Sequence, residues 1–311
     1  MSGPVVRAPR PGDAEQIAAL VNAHSAALGH PPDMTAALIE EWWAAPGSDM
    51  AADALVVESG GEVVGYGDIV VRGPQVRLDL GGEEPDLVLD ELELRASARG
   101  SVARLVLHER DPVREVLARR GYEAIRAAYD METSLAEEQE PPAWPAGVVT
   151  RRPQPGDEPL FHLVQEEAFA DHWGHEPRGY EEWAHLYGTM RPFDPDLWLL
   201  AEAAGEESPA GIAICEGGRE GDETTGWVHV LAVRRPWRRR GLGSALLRWS
   251  LGALRERGLA TAALSVDAEN TTGAVALYER AGLRVTSRFE HWEKPLTRNG
   301  PSGASRVRTG P

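Results

Sequence analysis

The sequence predicts an α/β protein built as two tandem domains, each a twisted mixed sheet flanked by helices. Three observations carry this. Between Trp227 and Leu247 the apolar residues change from strand-like to helical spacing across a glycine-arginine turn. Short strings of the first half recur in the same order in the second. A Pro- and Glu-rich stretch, residues 136–147, separates the two and suits a linker.

Val5-Val6-Arg7 reads as a short strand, and the following PRPGDAEQIAALV as a turn and a helix starting near Asp13. The PGD at 11–13 returns 144 residues later at 155–157. DALVV, from Asp53, is answered by DLWLL, from Asp196. LARRGY before METSL is answered by YERAGL before EKPL, with Gly121 and Gly282 now 161 residues apart. The period is too long for a solenoid, so it means two copies of one domain. Their expected bounds are 1–135 and 148–297, with 298–311 as a flexible tail that has little to bury.

The spacing widens between the second and third echoes, so the extra residues of the second copy fall around its turn. The matching stretch of the first copy is VRLDLGGEEPDLVLDEL, which puts Glu83 and Glu84 where the second copy has arginines. Like charge repels phosphate. The first copy is therefore expected to be a scaffold or an acceptor-side wall.

In the second copy, Leu160 to Met190 is aromatic: Phe161, Phe169, Trp173, Tyr180, Trp183 and Tyr187, with His172, His175 and His185 nearby. Two helices packing on a sheet explain most of it, and His172 and Trp173 are candidates to line an acceptor pocket. The histidine spacing is irregular, so no metal is expected. Strands follow at Trp198–Glu202, Gly211–Glu216 and Trp227–Val233, and Pro236 ends the last. Then come Arg238, Arg239, Arg240, Gly241 and Gly243, before a helix carrying Leu247, Leu251 and Leu254. A helix N-terminus offers free N–H groups and partial positive charge to an anion, and glycines let the backbone approach it. The rival is an exposed basic turn before an amphipathic helix. A dinucleotide fingerprint is excluded, because no GxGxxG with a downstream acidic residue is present. After a strand at Leu259–Val266, a helix is expected from Asp267–Thr271, carrying Val275, Leu277 and Tyr278 and ended by Gly282. Leu283–Thr286 and Phe289–Lys294 suggest a closing hairpin.

Acidic residues outnumber basic ones by 49 to 32, a net charge of −17. That argues against a nucleic-acid partner, and one pyrophosphate-bearing ligand suits the local arginine cluster better. No apolar run is long enough to span a bilayer and Met1–Pro11 has no signal-peptide core, so a cytoplasmic protein with no membrane partner is expected. The single cysteine, Cys215, rules out an internal disulfide and reads as a buried small hydrophobe.

Arg238, Gly241 and Gly243 after a hydrophobic strand form an R-x-x-G-x-G element, and DAENTTGAVALYERAGL supplies Asn270 and Tyr278 in a second signature. Together these resemble the GCN5-related N-acetyltransferases (GNAT). The resemblance covers residues 148–296 well. Residues 5–135 resemble the fold but lack the cofactor turn, and a tandem pair with one intact site resembles the mycothiol synthase type within that family.

The resemblance implies a sheet that splays between two central strands, with acetyl-CoA in the split as acyl donor. Its pantetheine arm would pair with Leu231, Ala232 and Val233. Its pyrophosphate would rest on Arg238, Arg239, Arg240, Gly241, Leu242, Gly243 and Ser244, with Asn270 a further cofactor contact. The implied reaction is direct acetyl transfer to a primary amine of a small molecule in a ternary complex. An N–H near Ala232 or Val233 would stabilise the oxyanion, and Tyr278 would be the general acid. In the first copy the position of Tyr278 is taken by Leu117.

One departure stands out. Several relatives place a glutamate base six residues before the last hydrophobic of the fourth strand, and here that residue is Trp227. His229, on the same face by strand alternation, is the candidate base, with Glu223, His172 or a water chain as alternatives. Trp227 would then be an apolar wall beside the acceptor. A non-catalytic acyl-CoA-binding module and a protein-lysine acetyltransferase are the competing functions. Two fused copies can mimic a dimer internally, so a monomer is the expected state.

Overall fold

The computed structural model describes residues 3–32, 34–137, 140–190, 194–218 and 222–297; the expected tail at 298–311 lies outside them. The first half contains β1 (Val5–Arg7), α1 (Ala14–Leu28), α2 (Ala36–Trp43), α3 (Met50–Asp53), β2 (Ala54–Ser59), β3 (Glu62–Arg72), β4 (Gln75–Gly82), α4 (Pro85–Ser97), β5 (Val102–His108), α5 (Val113–Arg119) and β6 (Glu123–Ser134). The second repeats the order with β7 (Val148–Arg151), α6 (Glu158–Phe169), α7 (Tyr180–His185), β8 (Trp198–Ala203), β9 (Gly211–Glu216), β10 (Thr225–Val233), α8 (Leu242–Glu256), β11 (Thr261–Asp267), α9 (Ala274–Arg280) and β12 (Arg284–Pro295).

One mixed sheet of twelve strands runs through both halves, in the order β1-β2-β3-β4-β5-β12-β6-β11-β10-β9-β8-β7. Each half gives its last strand to the other. β12 pairs with β5 from Phe289↔His108 to Pro295↔Val102, and β6 pairs with β11 from Ser134↔Thr261 to Ala128↔Asp267. β6 and β12 also pair with each other, so the sheet centre is shared. The linker between β6 and β7 does not coincide with any break in the sheet.

The expected hairpin after Leu283 is instead this single strand, β12, with register shifts between Val285 and Ser287 and between His291 and Trp292. Thr286-Ser287-Arg288 has no residue suited to the positive φ that a tight hairpin turn requires. Partners on both sides keep it in the ladder.

The repeated PGD turn is anchored identically in both halves. Arg7 donates to Asp13 (2.6 and 2.9 Å) and to Glu58 (2.7 Å). Arg151, 144 residues later, donates to Asp157 (2.5 and 3.1 Å) and to Glu202 (2.7 Å). In each half this ties the first strand, the first helix start and the second strand together. Six charged side chains in matched positions support the duplication more strongly than the short strings do.

Both parallel pairings are short. β4 and β5 pair only over Gln75–Arg77 and Val102–Arg104, and β10 and β11 only over Thr225–Trp227 and Thr261–Ala263. Beyond those residues the strands separate. In the second half the open edge of β10 carries Leu231, Ala232 and Val233.

Helices cover both faces of the second half. Phe161 of α6 packs on Trp198 (ring centroids 5.0 Å apart), while Leu246 and Leu242 of α8 come within 3.1 and 3.3 Å of where a Cβ on Gly211 would sit. Trp198 pairs with Ile214 and Ala201 with Gly211, so alternation puts α6 and α8 on opposite faces. The aromatic stretch is mainly core: Phe161 and Trp183 are almost wholly buried.

Candidate active site

The turn between β10 and α8 takes its shape from two left-handed residues. Arg239 has φ 62° and is the single non-glycine with positive φ among the described residues; Gly241 has φ 88°. Gly241 stands at the N-cap of α8, and no side chain caps that end. The first N–H groups of a helix have no partner within it, so this end is open to an anion.

The three arginines divide their duties in a way the motif does not reveal. Arg238 donates to the carbonyl of Val233 (3.1 Å) and to that of Ala168 at the end of α6 (2.8 Å). Its guanidinium therefore pins the turn between β10 and α6. Arg239 and Arg240 are exposed, and Arg240 lies 4.8 Å from the ring centre of Trp237.

Gly243 is the meeting point. A Cβ there would lie 3.7 Å from Leu277 Cδ2 and 3.9 Å from Val233 Cγ2. The end of β10, the first turn of α8 and α9 thus converge at the mouth of the split. Tyr278 follows Leu277 on α9 and is 9% exposed. Burial pushes its phenol up to about 12, because the low-dielectric surroundings disfavour the anion.

Asn270 lies in a loop, since α9 starts only at Ala274, after Gly273 at φ 82°. The helix start expected at Asp267–Thr271 is displaced because local bonds compete with helix there. Asn270 Oδ1 accepts from Thr272 N (2.8 Å) and Thr272 Oγ1 (2.5 Å), and Asp267 accepts from Glu269 N (3.0 Å).

On the α6 face of β10, Trp227 and His229 stand together, with rings nearly parallel (13°) and centroids 6.2 Å apart. The ladder with β9 pairs Val228 with Cys215 and Val230 with Ile214, so His229 is the extra residue of a β-bulge. Its Nε2 lies 2.5 Å from Oε2 of Glu216, the last residue of β9. Glu216 is absent from the motif-based candidates. Yet the antiparallel β9–β10 pairing sets it opposite Trp227, so the two strand spacings contained the signal. Glu223 is exposed in the loop before β10, at the far end of that strand from the anion turn.

His172 and Trp173 are adjacent in sequence but have different surroundings. The His172 ring packs on Phe169 (4.4 Å), and burial, aided by Arg238, lowers its pKa. Trp173 lies between Arg104 of β5 (4.4 Å) and Arg126 of β6 (4.9 Å), edge-on to His291 of β12 (5.1 Å). The segment after α6 therefore reaches onto the shared central strands.

The first half differs at each corresponding point. Gly82 (φ 108°) lets β4 stay paired with β3 to its end; a Cβ there would meet the Val64 carbonyl and lie 2.8 Å from Gly65 Cα. Glu83 and Glu84, both exposed, lead directly into Pro85 at the start of α4. Leu117 is fully buried. Cys215 is 1% exposed and burial pushes its thiol up to about 12, which fits a packing role. Among the described residues no three His, Cys, Asp or Glu side chains could together hold a metal, and no helix is long and apolar enough to cross a membrane.

These features, a split sheet with a glycine turn at its mouth and a buried tyrosine on the helix that packs there, define a class, and comparisons identify it. Residues 158–283 match the Acetyltransferase (GNAT) family. The mycothiol acetyltransferase of Thermobispora bispora is 32% identical over 88% of this chain and 93% of its own length. That of Nocardia farcinica is 30% identical over 87% and 90%. A GCN5-related N-acetyltransferase structure from Sphaerobacter thermophilus superposes with a TM-score of 0.76 at 29% identity, covering 94% of this chain and 96% of its own. A tandem GNAT protein from the clavulanic acid pathway shares the fold, with a TM-score of 0.69 at 19% identity over 97% and 100% of the chains. The chain belongs to the GNAT acetyltransferase family. It is an N-acetyltransferase of the tandem kind.

Proposed function

We propose that the protein transfers the acetyl group of acetyl-CoA to a primary amine of a small molecule by direct attack in a ternary complex. The observation that carries this is the convergence of Val233, Gly243 and Leu277 at the open end of the β10–β11 split, with Tyr278 next in line.

Acetyl-CoA, when bound, supplies a thioester and a diphosphate. The chain's groups fit both. The unpaired edge of β10 at Leu231, Ala232 and Val233 offers backbone donors and acceptors to a pantetheine amide. The N–H groups from Arg239 to Ser244, through Gly241, Leu242 and Gly243, receive the diphosphate, with the guanidinium groups of Arg239 and Arg240 beside it. Arg238 holds that turn in place, and Asn270 shapes the loop beyond it. An N–H at Ala232 or Val233 stabilises the developing oxyanion. Tyr278, protonated throughout the physiological range, gives its proton to the departing sulfur. His229 takes a proton from the amine, Trp227 forms an apolar wall, and His172 and Trp173 line the acceptor's approach.

The halves 1–135 and 148–297, joined by 136–147, then have unequal duties. Glu83 and Glu84 repel a diphosphate from the first, which contributes central strands and the two arginines, Arg104 and Arg126, beside Trp173. The two relatives' names direct the choice of acceptor to the amine precursor of mycothiol. We place the reaction in the cytoplasm, with the enzyme as a monomer.

The test is thiol release from acetyl-CoA with desacetyl-mycothiol, glucosamine, spermidine and a lysine peptide, with products identified by mass. Acetylated desacetyl-mycothiol is expected, and Gly241→Asp should weaken acetyl-CoA binding at least tenfold by calorimetry. Binding without turnover on any of the four would refute the proposal. Preference for the peptide would move the acceptor to protein lysines.

A further inference from the structure

The glutamate base that several relatives carry is replaced here by Trp227, and the structure assigns its task to a pair, Glu216 and His229, contributed by two neighbouring strands. This rests on the acetyl-transfer reading above and deepens it: His229 is the proton acceptor and Glu216 its positioning residue.

Four features support the pair. His229 occupies the β-bulge, so it has no residue opposite it on β9 and its ring remains on the side of Trp227. Nε2 and the Glu216 carboxylate are 2.5 Å apart, and both side chains are largely buried (13% and 14% exposed), where a charge-assisted hydrogen bond is strong. The Trp227 ring lies nearly parallel to the imidazole on the same face of β10. Finally, His229 lies on β10 between the point where β11 separates and the residues at the split's mouth.

Other titratable groups on the elements packed against β10 are paired elsewhere or exposed. On α6, Glu167 pairs with Arg234 (2.7 Å), Glu166 with His175 (3.2 Å), and His162 bonds the Arg178 carbonyl (2.7 Å). On β11, Asp267 pairs with Arg126 (2.6 Å). On the opposite face, Arg248 of α8 pairs with Glu140, and Arg255 and Glu256 are exposed. Among the described residues, Glu216 brings a carboxylate into hydrogen-bond contact with the ring.

The proton balance is complete. The acceptor amine enters as an ammonium ion with three protons on nitrogen. One passes to the Glu216–His229 pair, which becomes carboxylate–imidazolium and later releases it to solvent. The free amine forms the C–N bond as the C–S bond breaks. A second nitrogen proton replaces the one Tyr278 gives to sulfur, leaving an amide N–H and a thiol. The neighbouring carboxylate favours the imidazolium, so it raises the affinity of the ring for that first proton.

Two readouts test the pair. The first needs no acceptor: a proton NMR titration of the His229 ring in the whole protein, its signal assigned by loss in His229→Gln. The ring should titrate at least one pH unit lower in Glu216→Gln than in the unaltered protein. The second is the pH profile of kcat/KM with acetyl-CoA and desacetyl-mycothiol. Its rising limb should move to lower pH in Glu216→Gln, with the plateau down about tenfold, and His229→Gln should lose the limb and at least a hundredfold in rate. Acetyl-CoA affinity should not change in either variant. Equal ring titration in the two proteins, or a limb that survives His229→Gln, overturns the assignment while leaving acetyl transfer intact. Absence of acetyl-CoA binding in the unaltered protein would instead strike the parent reading, and the ring titration would still judge the pair.

Discussion

Removing one oxygen atom, in Tyr278→Phe, tests the proposed chemistry most directly. The side chain is 9% exposed, so the ring's packing survives and the fold should be retained. What is lost is a proton donor. General acids contribute roughly 10²–10⁴ in rate. A thiol is an acidic leaving group, with a pKa of about 8.5 for a free cysteine, so it needs less help than an alcohol or amine. The low end therefore applies: kcat should fall about 10²-fold, or about 2.7 kcal/mol in barrier. Acetyl-CoA affinity should hold, because in the proposed reaction the hydroxyl acts on the departing sulfur. Burial pushes the phenol up to about 12, so wild-type turnover should show no loss from this group between pH 7 and 10. The stability sign agrees. A phenol whose pKa is raised on folding contributes its full share below its unfolded value of about 10, and that share is lost as the pH climbs towards 12. Phenylalanine removes this alkaline loss. The assay is stopped-flow thiol release with saturating acetyl-CoA, paired with urea melts at pH 8 and pH 11. A variant within twofold of wild type in kcat would remove Tyr278 from the mechanism. A wild-type decline centred near pH 10 would mean the phenol is not desolvated as described.

Gly82→Ala tests the closed turn of the first half. A left-handed φ and a clash with the Val64 carbonyl should cost about 2 kcal/mol or more in urea melts, with acetyl-CoA affinity unchanged. Asp13→Asn tests the anchoring triad. The Arg7 guanidinium holds the Asp13 carboxyl below its usual range, so its stabilisation is present above about pH 3.8 and lost as the pH falls through the lower folded value. The variant should be about 3 kcal/mol less stable at pH 7, with the gap narrowing below pH 4; a gap independent of pH would refute the ion-pair account.

What could be read from the chain was local. The R-x-x-G-x-G turn and the Tyr278 helix lie in continuous segments whose spacing encodes their shape, and the structure brings their ends together at Gly243. The PGD echo led to the two arginine triads. What escaped was long-range. Alternation gives a strand's faces but not its partner, so nothing in Glu123–Ser134 or Arg284–Pro295 says that these strands change places. The same limit hid Glu216, whose importance appears only when β9 lies beside the bulge at His229. Arg238 shows the converse: a charged motif residue whose guanidinium binds carbonyls, because a turn that presents bare N–H groups must itself be held.

The crossed ribs at the middle of the sheet bear on why an arm without an anion turn persists. Excising residues 1–135 would remove β5 and β6, baring one edge of β11 and leaving β12 with no ladder partner on either side, and bare edges are templates for aggregation. Through β5 and β6 the first half is the keel on which the last strand of the second is laid.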